Sequence, residues 1–238
     1  MTVGDGSARG RIKTGIQPNA LIERTIDFLY AQLPNWRDDP DRRPVTAEER
    51  LNLQLCKYMN WVARLQFSMV HFNPEEHQVE RRRVDISATP DETIEIHTHR
   101  YTKYDPFLVI EGKRLPTPGS GRTREYVTGG EDRTGGIQRF RLGLHGNLLA
   151  TAVMIGYLQS DSTTAWHKQV NGWIKEELTS PTDTTCTWSA ADELGPLQTD
   201  TDIRTASCTS SHKRTAGVSD RISLRHLWIE MSTDSKNA

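Results

Sequence analysis

Glu111 and Lys113 close a short apolar run, Phe107-Leu108-Val109-Ile110, in a chain of 238 residues. Such a run, preceded by the Asp105-Pro106 break and ending in charge, reads as a buried strand. Side chains alternate along a strand, so the carboxylate and the amine point to one face, about 6–7 Å apart along the backbone. Burying either group unpaired costs several kcal/mol, so the pair asks for a third party. A divalent cation on the carboxylate, with the lysine serving water or a phosphate, would satisfy both. Asp85 lies on the polar face of an earlier alternating segment, Arg83-Val84-Asp85-Ile86-Ser87. If the two segments pair, three groups converge. Phosphodiester hydrolysis uses such a set: it needs an activated water and stabilised charge on the phosphate oxygens.

The elements that must position these groups are readable from periodicity. Asn19 to Leu33 carries an amphipathic stripe of Leu21, Ile22, Ile26, Leu29 and Leu33, and a Pro- and Asp-rich loop follows. Thr46 to Met69 is the strongest predicted helix. Leu51, Leu55, Tyr58, Val62, Leu65 and Met69 recur at spacings of three and four, one continuous apolar face. Thr46 and Glu49 have the form of a capping box. Glu48 stands three and seven residues before Leu51 and Leu55, so it continues the stripe inward; the plainer reading is a first-turn acid favoured by the helix dipole. Arg82 to Thr89 alternates as a strand, Pro90-Asp91-Glu92 is a turn, and Thr93 to Tyr101 alternates again. Ile137 to Gln159 reads as helix, interrupted near Gly143 to Gly146, with Leu148 to Leu158 as its buried part. Thr179 to Thr205 is rich in Ser, Thr and Asp and reads as a long loop or insertion. Ile222 to Met231 closes the chain as a strand. The order gives one α/β domain over residues 19–238 around a mixed sheet flanked by helices, after a flexible N-terminus at 1–18.

Bulk composition narrows the setting. Charged residues make up 26% and net charge is −1, so any nucleic-acid surface must be local. The cysteines (Cys56, Cys186 and Cys208) are odd in number and lack metal-ligand spacing. That fits a reduced, cytoplasmic protein without a zinc site. The N-terminal residues lack an apolar signal-peptide core, and the longest apolar run is too short to span a bilayer.

With these residues in view, the chain resembles the PD-(D/E)xK, or restriction-endonuclease-like, nuclease superfamily. The likeness rests on Arg83-Val84-Asp85-Ile86, on Val109-Ile110-Glu111-Gly112-Lys113, and on Gln138 in the helix expected next. It spans roughly residues 46–157. It departs from the family pattern in having no Pro before Asp85 and Leu142 where a Tyr often follows the Gln. The resemblance implies that Asp85 and Glu111 hold Mg2+, with Mn2+ able to substitute, and that Lys113 assists the attacking water. It further implies that Gln138 positions the site and that a Glu from the preceding helix, here Glu48, adds to the metal. The implied fold is the superfamily's mixed sheet with flanking helices. The implied activity is endonucleolytic hydrolysis of DNA in restriction, phage defence or repair.

Two other acids compete for the metal role. Asp91 spells Pro-Asp literally but sits where turn chemistry explains it. Asp105 shares parity with Glu111, but six strand residues put it about 20 Å away. Phosphate contacts are expected from Arg82 and Arg83 beside Asp85, with Arg81 in the same run. Others are expected from Arg122, Arg124, Arg139 and Arg141 around the glycine pairs 129–130 and 135–136, and from Lys213 and Arg214 near the end. His97 and His99 read as solvated, and Trp166, Trp173, Trp188 and Trp228 as core or partner-surface residues. No base-reading element is identifiable, so a specificity or activating protein partner and a homodimer are both compatible, and no membrane is expected. The competing readings are an inert nuclease-fold scaffold, an RNA-directed nuclease, a hydrolase of another phosphate compound, and an interaction module centred on 179–205.

Overall fold

Two helices, α1 (Pro18–Arg37) and α2 (Glu48–Gln66), precede the strands in a computed structural model that describes residues 18–79, 82–96 and 99–231. Of the N-terminal stretch expected to be flexible, residues 1–17 lie outside the described residues, as do Arg81 and His97, while Pro18 opens α1. Then come β1 (Val70–His77), β2 (Arg83–Pro90), β3 (Ile94–Ile96), β4 (His99–Tyr101) and β5 (Leu108–Leu115). The second half holds α3 (Gly136–Arg141), β6 (Thr151–Leu158), α4 (Thr163–Thr179), β7 (Gln198–Asp200), β8 (Thr205–Lys213) and β9 (Arg221–Glu230).

Among the described residues, seven strands form one mixed sheet in the order β1-β2-β5-β6-β9-β8-β7. β6 pairs parallel with both β5 and β9, and the outer pairs are antiparallel. The α/β class and the helix-flanked mixed sheet are those expected. A continuous apolar cluster runs from Leu21 in α1 to Ile229 in β9.

Several elements differ from the sequence reading, each for a physical reason. The run from Leu148 to Leu158 is largely strand, not helix: β6 lies at the sheet centre and is buried from Ala152 to Leu158. A parallel strand covered on both faces loses the period of two, so periodicity cannot separate it from a buried helix. Gly143 and Gly146 adopt left-handed φ of 69° and 56°, which ends α3 well short of its expected length. Thr93 to Tyr101 is not one strand but the antiparallel β3–β4 pair, outside the main sheet. On α2 the buried stripe is Leu51, Leu55, Met59 and Val62, while Leu65 is 70% exposed. A helix of 3.6 residues per turn drifts away from a 3.5-residue pattern, so the far end of the stripe rotates into solvent. The expected capping box is absent: Ala47 is the N-cap and makes no side-chain bond.

The strand expected over residues 222–231 is β9, and it lies inside the sheet between β6 and β8. Residues 179–205 are largely loop, as expected, with the short β7 near their end, and they pack into the fold: Asp183, Cys186, Trp188, Asp192 and Leu194 are buried. Elements β1, β8 and α4 lie outside the sequence reading altogether.

Candidate active site

β5 runs through the sheet interior between β2 and β6, and its charged pair is buried there. Glu111 is wholly inaccessible and Lys113 is 4% exposed. Between them Gly112 lies against α2, where a Cβ would collide with the Asn52 side chain. Glycine therefore lets α2 approach, and with it comes Glu48 in the first turn. Lys113 Nζ donates to Glu48 Oε1 at 2.8 Å and lies 3.2 Å from Glu111 Oε1. The other oxygen, Glu48 Oε2, accepts from the Arg114 backbone N–H at 2.9 Å.

Asp85 reaches the same place from β2. The β2–β5 ladder runs from Ala88↔Leu108 to Ile86↔Ile110, and one further step would set Asp85 opposite Glu111. Instead Gly112 N–H donates to Asp85 Oδ2 at 2.9 Å. On the other side of β2, the β1 ladder skips the residue opposite Asp85, which is Glu75. Glu75 holds a φ of 52°, a conformation costing a non-glycine residue on the order of 1 kcal/mol or more. Both neighbouring ladders thus loosen at Asp85.

Two further residues complete the surround. Arg139 Nη1 donates to Glu111 Oε1 at 2.7 Å, and His145 Nδ1 lies 3.2 Å from Glu111 Oε2. Burial pushes the Glu111 carboxyl up, but the charge of Lys113, then His145 and Arg139, outweigh it and hold it well below the usual carboxylate range. For Lys113, burial acts downward and the carboxylates of Glu111, Glu48 and Asp85 more than offset it, so it stays a firm ammonium. Asp85 goes the other way: burial and then the charge of Glu111 drive its carboxyl well above the ordinary value, despite Lys113 and the Gly112 N–H. Among the described residues, no group of three or more His, Cys, Asp or Glu side chains is spaced to hold a metal ion. Glu48 and Glu111 are drawn onto Lys113, and Asp85 onto Gly112.

The structure therefore brings Asp85, Glu111, Lys113 and Glu48 together. Gln138 is not joined to them. Its amide oxygen accepts from Gly129 N, and its amide nitrogen donates to Gly130 O and Asp183 Oδ2. It braces the 129–130 turn, and its neighbour Arg139 is the α3 residue that reaches Glu111.

The expected phosphate-contacting cations divide three ways. Arg141 and Arg214 are corrected to internal struts. Arg141 is buried, bonded to Asp192 and Thr187 O, and stacked 4.6 Å over Trp188. Arg214 is buried on the carbonyls of Phe140, Leu149 and Gly146. Arg122 is exposed and Arg124 partly so, and they pair with Glu125 and Glu176. Arg83 pairs with Glu75 at the surface, Arg82 donates to Arg133 O, and Lys213 is exposed at the end of β8. His99 is exposed with its ring edge on Tyr101, and the four named tryptophans are all buried. Sequence reasoning missed His145. Its signal, a histidine in the glycine-flanked Gly143-Leu144-His145-Gly146, is weak without a fold. Compared with known proteins, the chain matches no family model, no curated protein and no solved structure.

Proposed function

We propose that this protein is a Mg2+-dependent nuclease of the PD-(D/E)xK type that hydrolyses phosphodiester bonds of DNA, in a setting such as restriction, phage defence or repair. The observation that carries the reading is the meeting of Glu48, Glu111 and Asp85 around Lys113, from one helix and two adjacent strands.

Drawn onto Lys113 and Gly112, these acids do not stand at metal-ligand spacing, but their number and chemistry suit a divalent cation. Three carboxyl groups crowd one ammonium and one guanidinium, and Asp85 answers by holding its proton more tightly than usual. Glu111 Oε2 is buried without a hydrogen-bond partner, and the repulsion between Asp85 and Glu111 is what a cation relieves. Asp85 and Glu111 would hold it, with Glu48 beside them. Bound there, Mg2+ supplies Lewis-acid activation of water and neutralises charge on the phosphate.

The chain's own groups supply the rest. Lys113 has three N–H donors, and Glu48 and Glu111 engage two. The third would serve a phosphate oxygen. As a firm ammonium, Lys113 is suited to clamp the phosphate or give up a proton, and not to take one from water. Arg139 keeps its Nε without a partner, a second donor for an anion. On α2, the helix that carries Glu48, a cavity of about 470 Å³ is lined by Trp36, Tyr58, Trp61, Arg42, Arg43 and Lys57, with two aspartates among them. Aromatic faces and cations together suit bases and phosphates.

The ion pairs on Glu111 would serve an inert scaffold equally well, so cleavage decides. The test is incubation of supercoiled plasmid with Mg2+ and the wild type, Asp85→Ala or Lys113→Ala, with a single-stranded RNA arm. Nicking or linearisation by the wild type that fails in EDTA and in both variants is the expected result. Wild-type inactivity on every substrate would sink the reading; cleavage of RNA alone would move it to an RNA-directed enzyme.

A further inference from the structure

Resting on that reading, we infer that His145 is the positioning residue of Glu111, fixing the carboxylate so that one lone pair of Oε2 is left for the cation. His145 is completely buried, and among the described residues neither ring nitrogen has a hydrogen-bond partner. Glu111 Oε2 is in the same condition, and His145 Nδ1 stands 3.2 Å from it. Buried polar atoms in folded proteins are almost always paired, and at this separation a small rotation makes each the partner of the other. Catalytic hydrogen bonds are often poorly aligned until the site is loaded.

The surrounding structure fixes where His145 stands. It lies in the turn bounded by the left-handed Gly143 and Gly146. Gly146 N–H donates to Gln78 Oε1 at 2.9 Å, and Gly146 O accepts from the buried Arg214 Nη2 at 2.7 Å. A Cβ at Gly146 would crowd Val109 of β5, so the turn lies directly on the strand that carries Glu111. Phe140 meets the imidazole in a T-shaped contact at 5.8 Å. A buried arginine, a glutamine and an aromatic ring thus hold one histidine at one carboxylate oxygen.

Lone-pair counting gives this placement its consequence. An ionised carboxylate has about four acceptor positions. Lys113 and Arg139 take those of Oε1, and His145 takes one on Oε2. One position remains, and its direction is set by the imidazole. A histidine that held the cation itself would instead aim its lone pair past the oxygen, which is a different role with a different signature.

The test is Mg2+ binding by titration calorimetry, with a thermal melt on each protein. His145→Leu keeps the volume and removes the donor; we expect Mg2+ affinity to fall about 10- to 100-fold, the usual effect of losing a group that orients a ligand. His145→Asn restores an N–H near the Nδ1 position and should recover most of the affinity, whereas His145→Gln, whose donor sits near Nε2, should not. In turnover, His145→Leu should raise the Mg2+ concentration needed for half-maximal rate more than it lowers the rate at saturation. A folded His145→Leu that binds Mg2+ within about twofold of wild type overturns the inference. So does equal affinity of the Asn and Gln variants, which decides the matter if the Leu variant fails to fold. Nitrogen hyperfine coupling to bound Mn2+ that disappears in His145→Asn would also overturn it, by making the histidine a ligand. No Mg2+ binding by the wild type removes the nuclease reading itself, and this inference with it.

Discussion

Around Glu111, three carboxyl groups crowd two cations, both β-ladders slacken at Asp85, and Glu111 Oε2, Arg139 Nε and both nitrogens of His145 lack hydrogen-bond partners among the described residues. Around Asp192, a more deeply buried chain of groups is closed from end to end, and the atoms beside it that lack partners among the described residues, Arg141 Nε and Trp188 Nε1, are donors on its flank. Trp228 Nε1 donates to Tyr126 Oη, which meets His226 Nδ1, each at 2.8 Å. His226 Nε2 and His212 Nε2 flank Ser210 Oγ at 2.8 and 2.6 Å, and His212 Nδ1 meets Asp192 Oδ1 at 3.0 Å. One proton arrangement satisfies every link: each group donates to the next, from the indole to the carboxylate, with both imidazoles neutral. Asp192, His212 and Ser210 are the residue types of a nucleophilic triad. Yet Ser210 is only 6% exposed, and its hydroxyl gives its proton to one imidazole and accepts from the other. It has no substrate approach, and the chain already uses its proton and one of its two lone pairs. Residue types alone would favour Asp192 as an active site, but the balance of donors and acceptors favours Glu111.

The difference is testable by separating activity from stability. Asp85→Asn should lower plasmid cleavage by about a thousand-fold or more, a loss of roughly 4 kcal/mol in the transition state. It should leave the melting temperature unchanged or raised, because it removes the repulsion with Glu111 that pushes the Asp85 carboxyl up. A variant that melts well below wild type would mean that Asp85 is a structural strut and the contrast is false. Asp192→Ala should do the opposite. It strands the buried Arg141 and His212, and removing one partner of a buried ion pair costs about 3–5 kcal/mol. Denaturant melts would read that loss. Cleavage per folded molecule should survive; its disappearance would merge the two clusters into one functional unit.

Much of the Glu111 cluster is legible in the sequence because its parts obey local rules. Glu111 and Lys113 share a strand face by parity, Asp85 lies on the polar parity of β2, and Glu48 extends a helical stripe. Those arguments need only strand pairing to bring the groups together. What the sequence hides is everything supplied by distant segments. His145 arrives from a turn, and Gln138 turns away because Asp183, 45 residues on, offers it a carboxylate. Arg141 and Arg214 look like free surface cations until 187–192 and the 140–149 carbonyls fold over them. β6 is misread for the same reason: its neighbours β5 and β9 remove the alternation that would have identified it. Local pattern finds groups that share an element, while partners across the fold decide which charges are free.

Acid should strike the closed cluster first. Burial is the main force lowering both imidazoles, and it outweighs the pull of Asp192 on His212; His226 lies well below the ordinary histidine value. Unfolded, both return to about 6.5. Below that pH the unfolded chain binds protons that the folded chain refuses, so stability falls as pH drops. Between about pH 7.5 and 5.5 the loss should be on the order of 1–3 kcal/mol, up to 1.36 per unit for each fully depressed site. Asp192 adds to it only further down: burial raises its carboxyl, but the His212 hydrogen bond and Arg141 hold it net low, so its stabilisation is lost as pH falls through that lowered value. The relay explains why the first protons are refused: a proton added to either imidazole turns an acceptor nitrogen into a donor facing another donor. Urea midpoints measured across this range check it, and His226→Gln should flatten part of the slope. A wild-type midpoint that does not move between these pH values would mean the relay already carries a proton, and the closed arrangement drawn for it would be wrong.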